Sequence, residues 1–467
     1  MSPPTVVVVG AGIAGLAAAW ELLQHNDCRV IVLEGARKPG GKLRTAEVAG
    51  HRIDVGAESM LARRPEALQL VHEAGLSAGI VHPRPVPAAI FSRGGLHPLP
   101  ARTLMGIPSD PGGAAGVLTP DEVARARAER PGTPADSDVS VGDLVAERLG
   151  DAVVDRLVEP LLAGVYAGHA RDISLRAAVP GLWAAARWGT SITAVAAAIP
   201  PATDAGPVFA GAVGGLGELV TRLVTTLDAR GVEIRTGSTV RELTRTPTGW
   251  RLLTGPTTDV TVTDADGVVL AVPAAPTSRL LGPHAPGAAR LLADIDYASV
   301  AIVTLALPRT AATRLVGSGF LVPPLERLSI KAATFSSAKW EWVDALDADT
   351  VLLRASMGRA GETAVLQRDD ADLADLALRD LRKVLGPDLP DPLDTHVQRW
   401  GGGLPQYAVG HLDRVAAILE HVATLPALAV AGAAYQGVGI PACVASGREA
   451  AREVAARVRE RTQALRQ

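Results

Sequence analysis

The stretch VVVVGAGIAG at residues 6–15 decides the fold of this chain. Its four valines form a β-branched run of the kind that is buried in a parallel sheet. Gly10, Gly12 and Gly15 follow at the spacing G-x-G-x-x-G, and AAAWELLQ continues as a good helix former. The first glycine permits a tight turn, the second lets backbone approach a pyrophosphate, and the third lets the helix pack on the strand. The stretch therefore predicts a strand, a dinucleotide-binding loop and a helix whose N-terminus faces the phosphates.

A second apolar strand supports this interpretation. CRVIVLE at residues 28–34 ends in Glu34, which stands 19 residues beyond Gly15. An acidic residue about 20 positions after the last glycine binds a ribose hydroxyl in such folds. A lone G-x-G-x-x-G also occurs in flexible turns, but the order strand, helix, strand and terminal acid argues against that alternative. The predicted cofactor contacts from this unit are Gly10, Ala11, Gly12, Ile13, Ala14, Gly15 and Glu34.

Composition limits the class of protein. A chain of 467 residues suggests two or three domains, and 48% hydrophobic with 20% charged residues is typical of a globular protein. A net charge of −3 gives no reason to expect nucleic acid as a partner. The two cysteines, Cys28 and Cys443, provide neither a disulfide framework nor metal spacing. The apolar run Val6 to Trp20 is short for a membrane span and is broken by glycines, so we expect a cytoplasmic protein.

The residues after Glu34 indicate which dinucleotide is bound. GARKPGGKLRTAEVAGHRIDVGAES at residues 35–59 resembles the extended fingerprint of the amine-oxidase and protoporphyrinogen-oxidase superfamily of flavoproteins. The resemblance implies FAD rather than NAD. It places Lys42 and the pair Gly40-Gly41 along the FAD phosphates, and Gly35 is a further predicted cofactor contact. It also places Gly56, Ala57, Glu58 and Ser59 near the isoalloxazine ring.

The middle of the chain alternates helices, loops and strands. We expect a helix within residues 63–79 that stops at Gly75, and a hairpin with Gly94-Gly95 at its turn. Residues 109–140, rich in Pro, Gly, Asp and Arg, are interpreted as a surface excursion, linker or mobile segment. Two short helices then follow, the second ending near Pro160. After Asp294, strands such as ASVAIVTLALP alternate without helices between them, which predicts an antiparallel sheet.

Three further stretches resemble the bacterial, HemY-type porphyrinogen oxidases of haem synthesis: HPLPARTLMGIP at 97–108, DRLVEPLLAGVYAG at 155–168 and QRWGGGLPQYAVGH at 398–411. The resemblance covers essentially the whole chain. It implies an α/β plus α+β fold with three domains. These are a discontinuous Rossmann-type FAD-binding domain (1–60, 207–293 and 395–467), an antiparallel-sheet substrate domain (61–85, 180–206 and 294–394), and a small helical domain (86–179) that faces the membrane in some relatives.

The same resemblance implies a reaction. A porphyrinogen loses six electrons overall, by hydride transfer from a methylene bridge to flavin N5 and reoxidation by O2 to H2O2, so the cofactor carries the chemistry. The protein then needs apolar walls and a few cations for the propionates. No G-x-S-x-G or H-E-x-x-H motif is found, and neither a catalytic side chain nor a metal is assigned.

Candidate site residues follow from these needs. Arg63 and Arg64, directly after the GAES stretch, rank first as propionate ligands, and Lys331 is a weaker candidate. The alternative for each is a solvated surface charge. His97 and His411 are either acid–base groups or hydrogen-bonded structural residues. By the resemblance, Trp400 packs against the flavin and Val240 offers a backbone contact to adenine.

A second glycine loop lies near the end of the chain, in GAAYQGVGIPACVASGREAA at residues 432–451. Strand LAVAG before it is expected to return to the sheet that Val6–Val9 begin. Val438, Gly439 and Ile440 would then bring backbone N–H groups to the flavin, and the helix after Pro441 would point its positive N-terminus at the flavin N1/O2 locus. The two glycine loops are thus predicted to be halves of one FAD site. The alternative is a terminal helix that merely packs.

Several functions stay open at this point. An amine oxidase would place a lysine on the strand entering the substrate domain, but residues 299–305 contain none, and four Phe with four Tyr leave little for an aromatic cage. A non-catalytic flavoprotein is the alternative of a different class. Coproporphyrinogen III, with four carboxylates, is favoured over protoporphyrinogen IX, with two, because basic residues follow the GAES stretch. The expected partners are the porphyrinogen and O2, with peripheral membrane contact and transient contact with the next haem-pathway enzyme as further expectations.

Overall fold

The structure is a computed structural model that describes residues 3–24, 28–130, 132–199, 206–256 and 258–464. The strands within these ranges are β1 (Thr5–Val9), β2 (Arg29–Leu33), β3 (Thr45–Val48), β4 (His51–Asp54), β5 (Met60–Leu61), β6 (Ile80–Val81), β7 (Ala88–Ser92), β8 (Gly95–Pro98), β9 (Thr103–Leu104), β10 (Ile107–Pro108), β11 (Phe209–Ala212), β12 (Glu233–Arg235), β13 (Val240–Thr246), β14 (Gly249–Thr254), β15 (Thr261–Ala265), β16 (Gly267–Leu270), β17 (Tyr297–Pro308), β18 (Gly319–Leu321), β19 (Ile330–Thr334), β20 (Thr350–Met357), β21 (Asp394–Pro405) and β22 (Leu428–Val430).

The α-helices within the same ranges are α1 (Ile13–Gln24), α2 (Pro65–Glu73), α3 (Pro120–Arg127), α4 (Val141–Leu149), α5 (Asp151–Val153), α6 (Glu159–Tyr166), α7 (Leu175–Ala178), α8 (Pro180–Trp188), α9 (Ile192–Ala197), α10 (Leu216–Ala229), α11 (Ala274–Leu281), α12 (Pro286–Ala293), α13 (Ser336–Lys339), α14 (Glu341–Asp344), α15 (Asp370–Leu385), α16 (His411–Ala423) and α17 (Ile440–Ala464).

A parallel sheet in the order β12-β2-β1-β16-β22 forms the centre of the FAD-binding region. All four pairings are parallel, and the valines of β1 are buried. One face is covered by α1, α10 and α17, and the other by α11, α12, α16 and the β13-β14-β15 sheet. The β-branched run of β1 is buried on both faces, as expected for a parallel strand between layers. The expected fold class is confirmed.

A seven-stranded sheet in the order β21-β17-β20-β19-β18-β7-β8 forms a second layer. Its neighbours pair antiparallel, as the alternating strands predicted, except that β18 and β7 run parallel. The apolar face is packed under α15, with Leu305, Leu353 and Leu381 among the buried residues.

The packing of these elements differs from three of the expected domain assignments. β21 pairs with β17 through Pro405, so residues 395–405 extend the substrate sheet rather than the FAD-binding part. The β7–β8 hairpin joins the same sheet through β18, although it was expected in the helical domain. α8 and α9 pack in the core of the helical domain, not with the substrate sheet. Residues 200–205 of the expected segment 180–206 lie outside the described residues.

The helical domain differs from expectation at two places. Residues 109–140 were interpreted as an excursion or mobile segment, but Ala114, Leu118 and Ala126 are buried in the core, and α3 begins with a capping box between Thr119 and Glu122. The helix predicted to end near Pro160 continues to Tyr166. The preceding turn, Val154–Val158, is a π-helix. This wider turn accommodates the proline, which has no N–H to donate and whose ring would meet a carbonyl in a regular α-helix.

The β7–β8 hairpin also turns one residue earlier than the Gly94-Gly95 pair suggests. Ser92 pairs with Gly95, which leaves Arg93 and Gly94 as a two-residue loop with φ of 53° and 79°. Positive φ at both positions is the geometry of a tight hairpin turn. Arg93 is held there because its backbone N–H donates to Glu326 and its guanidinium to Glu122.

Candidate active site

The loop between β1 and α1 has the three glycines in distinct environments. Gly10 has a φ of 101°, which favours glycine, and its N–H donates to the Leu33 carbonyl at 2.8 Å. A Cβ at Gly15 would overlap the Gly10 carbonyl, so this position closes the turn. A Cβ at Gly12 would meet no atom within 4 Å. The middle glycine therefore opens onto free space at the N-terminus of α1, where a pyrophosphate fits.

Glu34 and the loop 40–42 are bonded to this glycine loop. The Glu34 carboxylate accepts from the N–H groups of Ala11 at 2.7 Å and Ala36 at 2.8 Å. The Gly40 N–H donates to the Ala11 carbonyl at 2.7 Å, and Gly41 lies against Gly12. The structure thus brings the predicted phosphate contacts together at the carboxyl ends of β1 and β2.

Lys42 provides the test of whether an anionic group fits here. Burial lowers the pKa of Lys42, and among the described residues no carboxylate pairs with its ammonium group. The ionisable group that lies near the Lys42 ammonium is the thiol of Cys443. Burial raises the pKa of that thiol to about 11, so the thiol is neutral and does not balance the charge. A buried cation without a counter-ion is costly. The FAD phosphates would supply the missing negative charge.

The residues predicted for the adenine end lie beside the same strands. The Ser238 N–H donates to the Glu34 carbonyl at 2.7 Å, and Gly35 lies against Thr239. Val240 follows at the start of β13 and is partly buried. The structure therefore places residues 238–240 beside Glu34 and Gly35.

The C-terminal loop packs against the FAD-binding sheet and α1 from the opposite end of the chain. β22 pairs with β16 in the parallel sheet, and the Gly432 N–H donates to Ser446 Oγ at 2.9 Å. A Cβ at Gly447 would overlap the Ala14 carbonyl, so α17 packs directly on α1. Helix α17 begins at Ile440, with Pro441 in its first turn, where a missing N–H has no cost. Ile440 is thereby placed in the same apolar cluster as Ile13 at the start of α1, and Val438 packs against the core of the helical domain.

The GAES stretch is held by a buried ion cluster. Glu58 pairs with Lys339 at 2.6 Å and with Arg354 at 2.8 Å. Burial would raise the pKa of Glu58, but the two cations lower it to about 2. Arg354 also donates to the Gly56 carbonyl at 2.5 Å. Glu58 was predicted near the flavin. Its side chain is directed into this cluster, which fixes the Gly56 carbonyl through Arg354.

Asp54 makes a second buried connection. Its carboxylate accepts from the N–H groups of Leu216 at 2.7 Å and Gly217 at 3.0 Å, which are the first residues of α10. Burial raises the pKa of Asp54 to about 6 despite these bonds. The carboxylate caps α10 from β4 and docks the returning segment on the FAD-binding region.

Trp400 lies at the junction of the two sheets. Its Nε1 donates to the Val55 carbonyl at 3.2 Å, and its ring edge would be 3.0 Å from a Cβ at Gly56. The Arg44 guanidinium lies 5.5 Å from the ring centroid. Small apolar residues adjoin the ring: Ala167, Ala298, Val300, Ala360 and Leu404. The tryptophan thus covers the stretch that the resemblance places beside the flavin.

The predicted propionate ligands have different environments. Arg63 is exposed, and within the described part of the chain its side chain makes one hydrogen bond, to the Gly206 carbonyl at 3.4 Å. Arg64 is also exposed and pairs with Glu66 at 2.5 Å. Lys331 is buried, and its ammonium donates to the Gly358 carbonyl at 2.6 Å. Burial, with a smaller contribution from Arg359, lowers the pKa of Lys331 to about 7.

This lysine gives a testable pH dependence. Because the unfolded chain holds the proton up to pH 10.5 and the folded chain releases it near pH 7, the unfolded state binds more protons between these values. Stability should therefore rise with pH over this window, by at most about 1.4 kcal/mol per pH unit. Lys331→Met should remove this slope and be the more stable protein at pH 7, as measured by urea midpoints from pH 7 to 9.5. Parallel curves for both proteins would contradict the assignment.

Both histidine candidates bond to backbone carbonyls. His97 Nε2 bonds to the Ser92 carbonyl at 3.0 Å inside the hairpin. His411 is fully buried, and burial lowers its pKa to about 4. Sequence reasoning missed Asp54, Lys339, Arg354 and Arg359. The available signal was a charged residue within a buried apolar strand, as in TVLLRASM of β20.

Comparison with known proteins decides the family. The family model described as flavin containing amine oxidoreductase matches residues 13–455. The chain belongs to this family. It is therefore a flavin-dependent oxidoreductase, and the dinucleotide loop and Lys42 described above fit FAD as its cofactor.

Individual relatives extend this result. The coproporphyrinogen III oxidase of Mycobacterium tuberculosis (strain ATCC 25618 / H37Rv) is 41% identical over 461 residues, covering 96% of this chain and 97% of that protein. The coproporphyrinogen III oxidase of Bacillus subtilis (strain 168) is 30% identical, covering 95% and 96%. A crystal structure from Exiguobacterium sp. 255-15, of a protein proposed as a protoporphyrinogen oxidase, has a TM-score of 0.86 and 32% identity, covering 97% of this chain and 99% of that one.

Across the described ranges, no group of three or more His, Cys, Asp or Glu side chains is arranged to hold a metal ion. Within the same part of the chain, no helix combines the length and apolar composition needed to cross a membrane.

Proposed function

We propose that the chain is an oxygen-using, FAD-dependent coproporphyrinogen III oxidase of haem biosynthesis. The observation that carries this proposal is the 41% identity, over nearly the full length of both chains, with a coproporphyrinogen III oxidase. Protoporphyrinogen IX is the alternative substrate, supported by the structural likeness to the Exiguobacterium protein.

The overall reaction balances with three molecules of dioxygen. Coproporphyrinogen III and 3 O2 give coproporphyrin III and 3 H2O2, with six electrons and six protons transferred. Bound FAD supplies the hydride acceptor and passes electrons to O2. The protein excludes water around Trp400 and its small apolar neighbours, and provides cations for the propionates.

The cations that we assign to the propionates are Arg63, Arg64 and Lys331. Arg63 is the freest of them, since its one hydrogen bond is long. Lys331 has a second buried cation, Arg359, beside it, and Arg359 pairs with the half-exposed Glu362 at 3.3 Å. The buried guanidinium of Arg359, with one half-exposed carboxylate beside it, favours an anionic ligand at this point, and such a ligand would favour the charged form of Lys331. A tetracarboxylate substrate would use more of these sites than a dicarboxylate.

Substitution of the two arginines tests this assignment. Arg63→Ala and Arg64→Ala should each raise the KM for coproporphyrinogen by about three- to tenfold, since a charge-assisted bond is lost, while FAD content stays unchanged. The effect of Arg64 should be the smaller because Glu66 already pairs with it. Arg222→Ala, another exposed arginine in an ion pair with Glu218, is the control. Loss of FAD in either variant would show that the arginine belongs to the cofactor site.

Substrate preference tests the proposed function itself. Steady-state kcat/KM should be measured for both porphyrinogens, with H2O2 detection. We expect coproporphyrinogen to be preferred by about tenfold or more, which one additional charge-assisted contact can supply. A preference for protoporphyrinogen would overturn the proposal in favour of its alternative.

We infer a cytoplasmic enzyme that uses O2, with peripheral contact at the inner face of the membrane and transient contact with the next haem-pathway enzyme as secondary proposals. Sedimentation of the chain with vesicles of anionic lipid tests the first of these contacts.

A further inference from the structure

The buried pair Tyr407 and His411 contacts the C-terminal glycine loop at two backbone carbonyls. The Tyr407 hydroxyl donates to the Ala433 carbonyl at 2.6 Å. His411 Nε2 bonds to the Tyr435 carbonyl at 2.9 Å. A carbonyl can only accept, so Nε2 carries the hydrogen. Both side chains are buried, with exposures of 1% for Tyr407 and 0% for His411.

The two rings also support each other. They are stacked, with centroids 3.9 Å apart and an interplanar angle of 14°. Burial lowers the pKa of His411 to about 4, so the imidazole is neutral at physiological pH. The histidine is therefore not a proton donor to substrate. Its hydrogen bond and its stack are the roles that its environment permits.

Residues 407–411, which carry this pair, are anchored to the helical domain by their backbone. The Ser174 N–H donates to the Tyr407 carbonyl at 2.7 Å, and the Gly410 N–H donates to Asp138 Oδ2 at 2.9 Å. The side chains thus reach the C-terminal loop while the backbone is fixed to another domain.

The contacted carbonyls lie directly before the proposed flavin contacts. Gln436 and Gly437 separate Tyr435 from Val438–Ile440. Gly437 has a φ of 154°, and a Cβ built on it would lie only 2.5 Å from the Ala442 Cβ. The backbone therefore passes directly against the first turn of α17, so a shift at Tyr435 would reach the start of that helix.

We propose that Tyr407 and His411 are positioning residues that set the C-terminal loop against the flavin, and so link the helical domain to the cofactor. Neither residue touches the cofactor in this proposal; they act through the Ala433 and Tyr435 carbonyls. The inference needs the FAD site but does not depend on which porphyrinogen is oxidised.

Tyr407→Phe is the sharpest test because it removes one hydroxyl and keeps the stack. We expect the Kd for FAD to rise by about three- to tenfold, the value of one hydrogen bond, and the flavin midpoint potential and visible circular dichroism to shift. Tyr166→Phe is the matched control. The centroid of the Tyr166 ring lies 5.6 Å from that of Tyr407, and it is the Tyr166 backbone carbonyl that accepts a hydrogen bond, from Gln406 Nε2. It should leave all three unchanged.

The histidine is tested by a pair of variants. His411→Gln keeps a donor for the Tyr435 carbonyl, and His411→Ala removes it, so FAD affinity and potential should be closer to wild type in His411→Gln. Equal losses in both would overturn the role of the hydrogen bond. If Tyr407→Phe lowers the melting temperature of the apoprotein but leaves FAD affinity and potential at wild-type values, the pair is merely structural and the proposal is wrong.

Discussion

Gly12→Ala is expected to abolish stoichiometric FAD binding while leaving the apoprotein folded. A Cβ at this position meets no protein atom within 4 Å, so the fold has room for it. The same Cβ would occupy the space at the N-terminus of α1 that a pyrophosphate needs. We expect the Kd for FAD to rise by at least about 100-fold, or about 2.7 kcal/mol, by titration of apoprotein with FAD.

Two other glycines serve as controls for Gly12. Gly181→Ala places a Cβ in open space on α8, far along the chain from the cofactor loops, and should bind FAD normally. Gly15→Ala would overlap the Gly10 carbonyl and should destabilise the apoprotein itself. If Gly12→Ala retains FAD at wild-type affinity, the pyrophosphate does not bind at this loop.

The C-terminal half of the site can be tested in the same way. A Cβ at Gly439 would have Pro441 Cδ, at 3.9 Å, as its nearest atom, so Gly439→Ala should also fold. If the two loops are halves of one site, this variant should bind FAD more weakly as well. Normal binding would leave the C-terminal loop with a packing role.

Glu58→Gln is expected to have the largest effect on stability. It removes the carboxylate that Lys339 and Arg354 share. The side chains of these two cations are only 17% and 10% exposed. Removing one partner of a buried ion cluster costs about 3–5 kcal/mol. The measurement is chemical unfolding of the apoprotein, followed by fluorescence of the tryptophans.

The pH dependence of this loss has a definite sign. The folded pKa of Glu58 is about 2 and the unfolded value is 4.5, so its contribution is present above pH 4.5 and is lost as pH falls toward 2. Asp54 acts in the opposite direction, because its raised pKa makes stability fall as pH rises from 3.8 to about 6. Because Glu58 also raises the pKa of Asp54, the difference between wild type and Glu58→Gln reports Glu58 together with this coupling.

Glu66→Gln is the matched control for this prediction. It breaks an exposed pair with Arg64, which should be worth about 0–1 kcal/mol. A loss of less than about 1 kcal/mol in Glu58→Gln would contradict the account, since it would equal that of an exposed pair.

The parts of the site that are local in sequence could be predicted. The strand, glycine loop, helix and Glu34 lie within thirty-four residues, and each follows from spacing and residue type. The course of α2 to its stop at Gly75, where φ is 73°, follows from the same kind of signal.

The long-range parts could not be predicted. Glu58 and Arg354 are separated by 296 residues, and no local pattern indicates that they pair. The domain boundary expected at residue 395 was wrong for the same reason. The sequence pattern identifies β21 as a strand but does not say which sheet the strand joins. The π-helix before Pro160 depends on packing within the helical domain, which overrides the tendency of proline to end a helix.

Anaerobic mixing of the purified FAD-loaded protein with coproporphyrinogen III tests the central claim most directly. The account predicts that the absorbance of oxidised flavin near 450 nm is lost, and that admitting O2 restores it with formation of H2O2 and coproporphyrin. A flavin that stays oxidised with excess coproporphyrinogen, in protein shown to hold one FAD per chain, would contradict it.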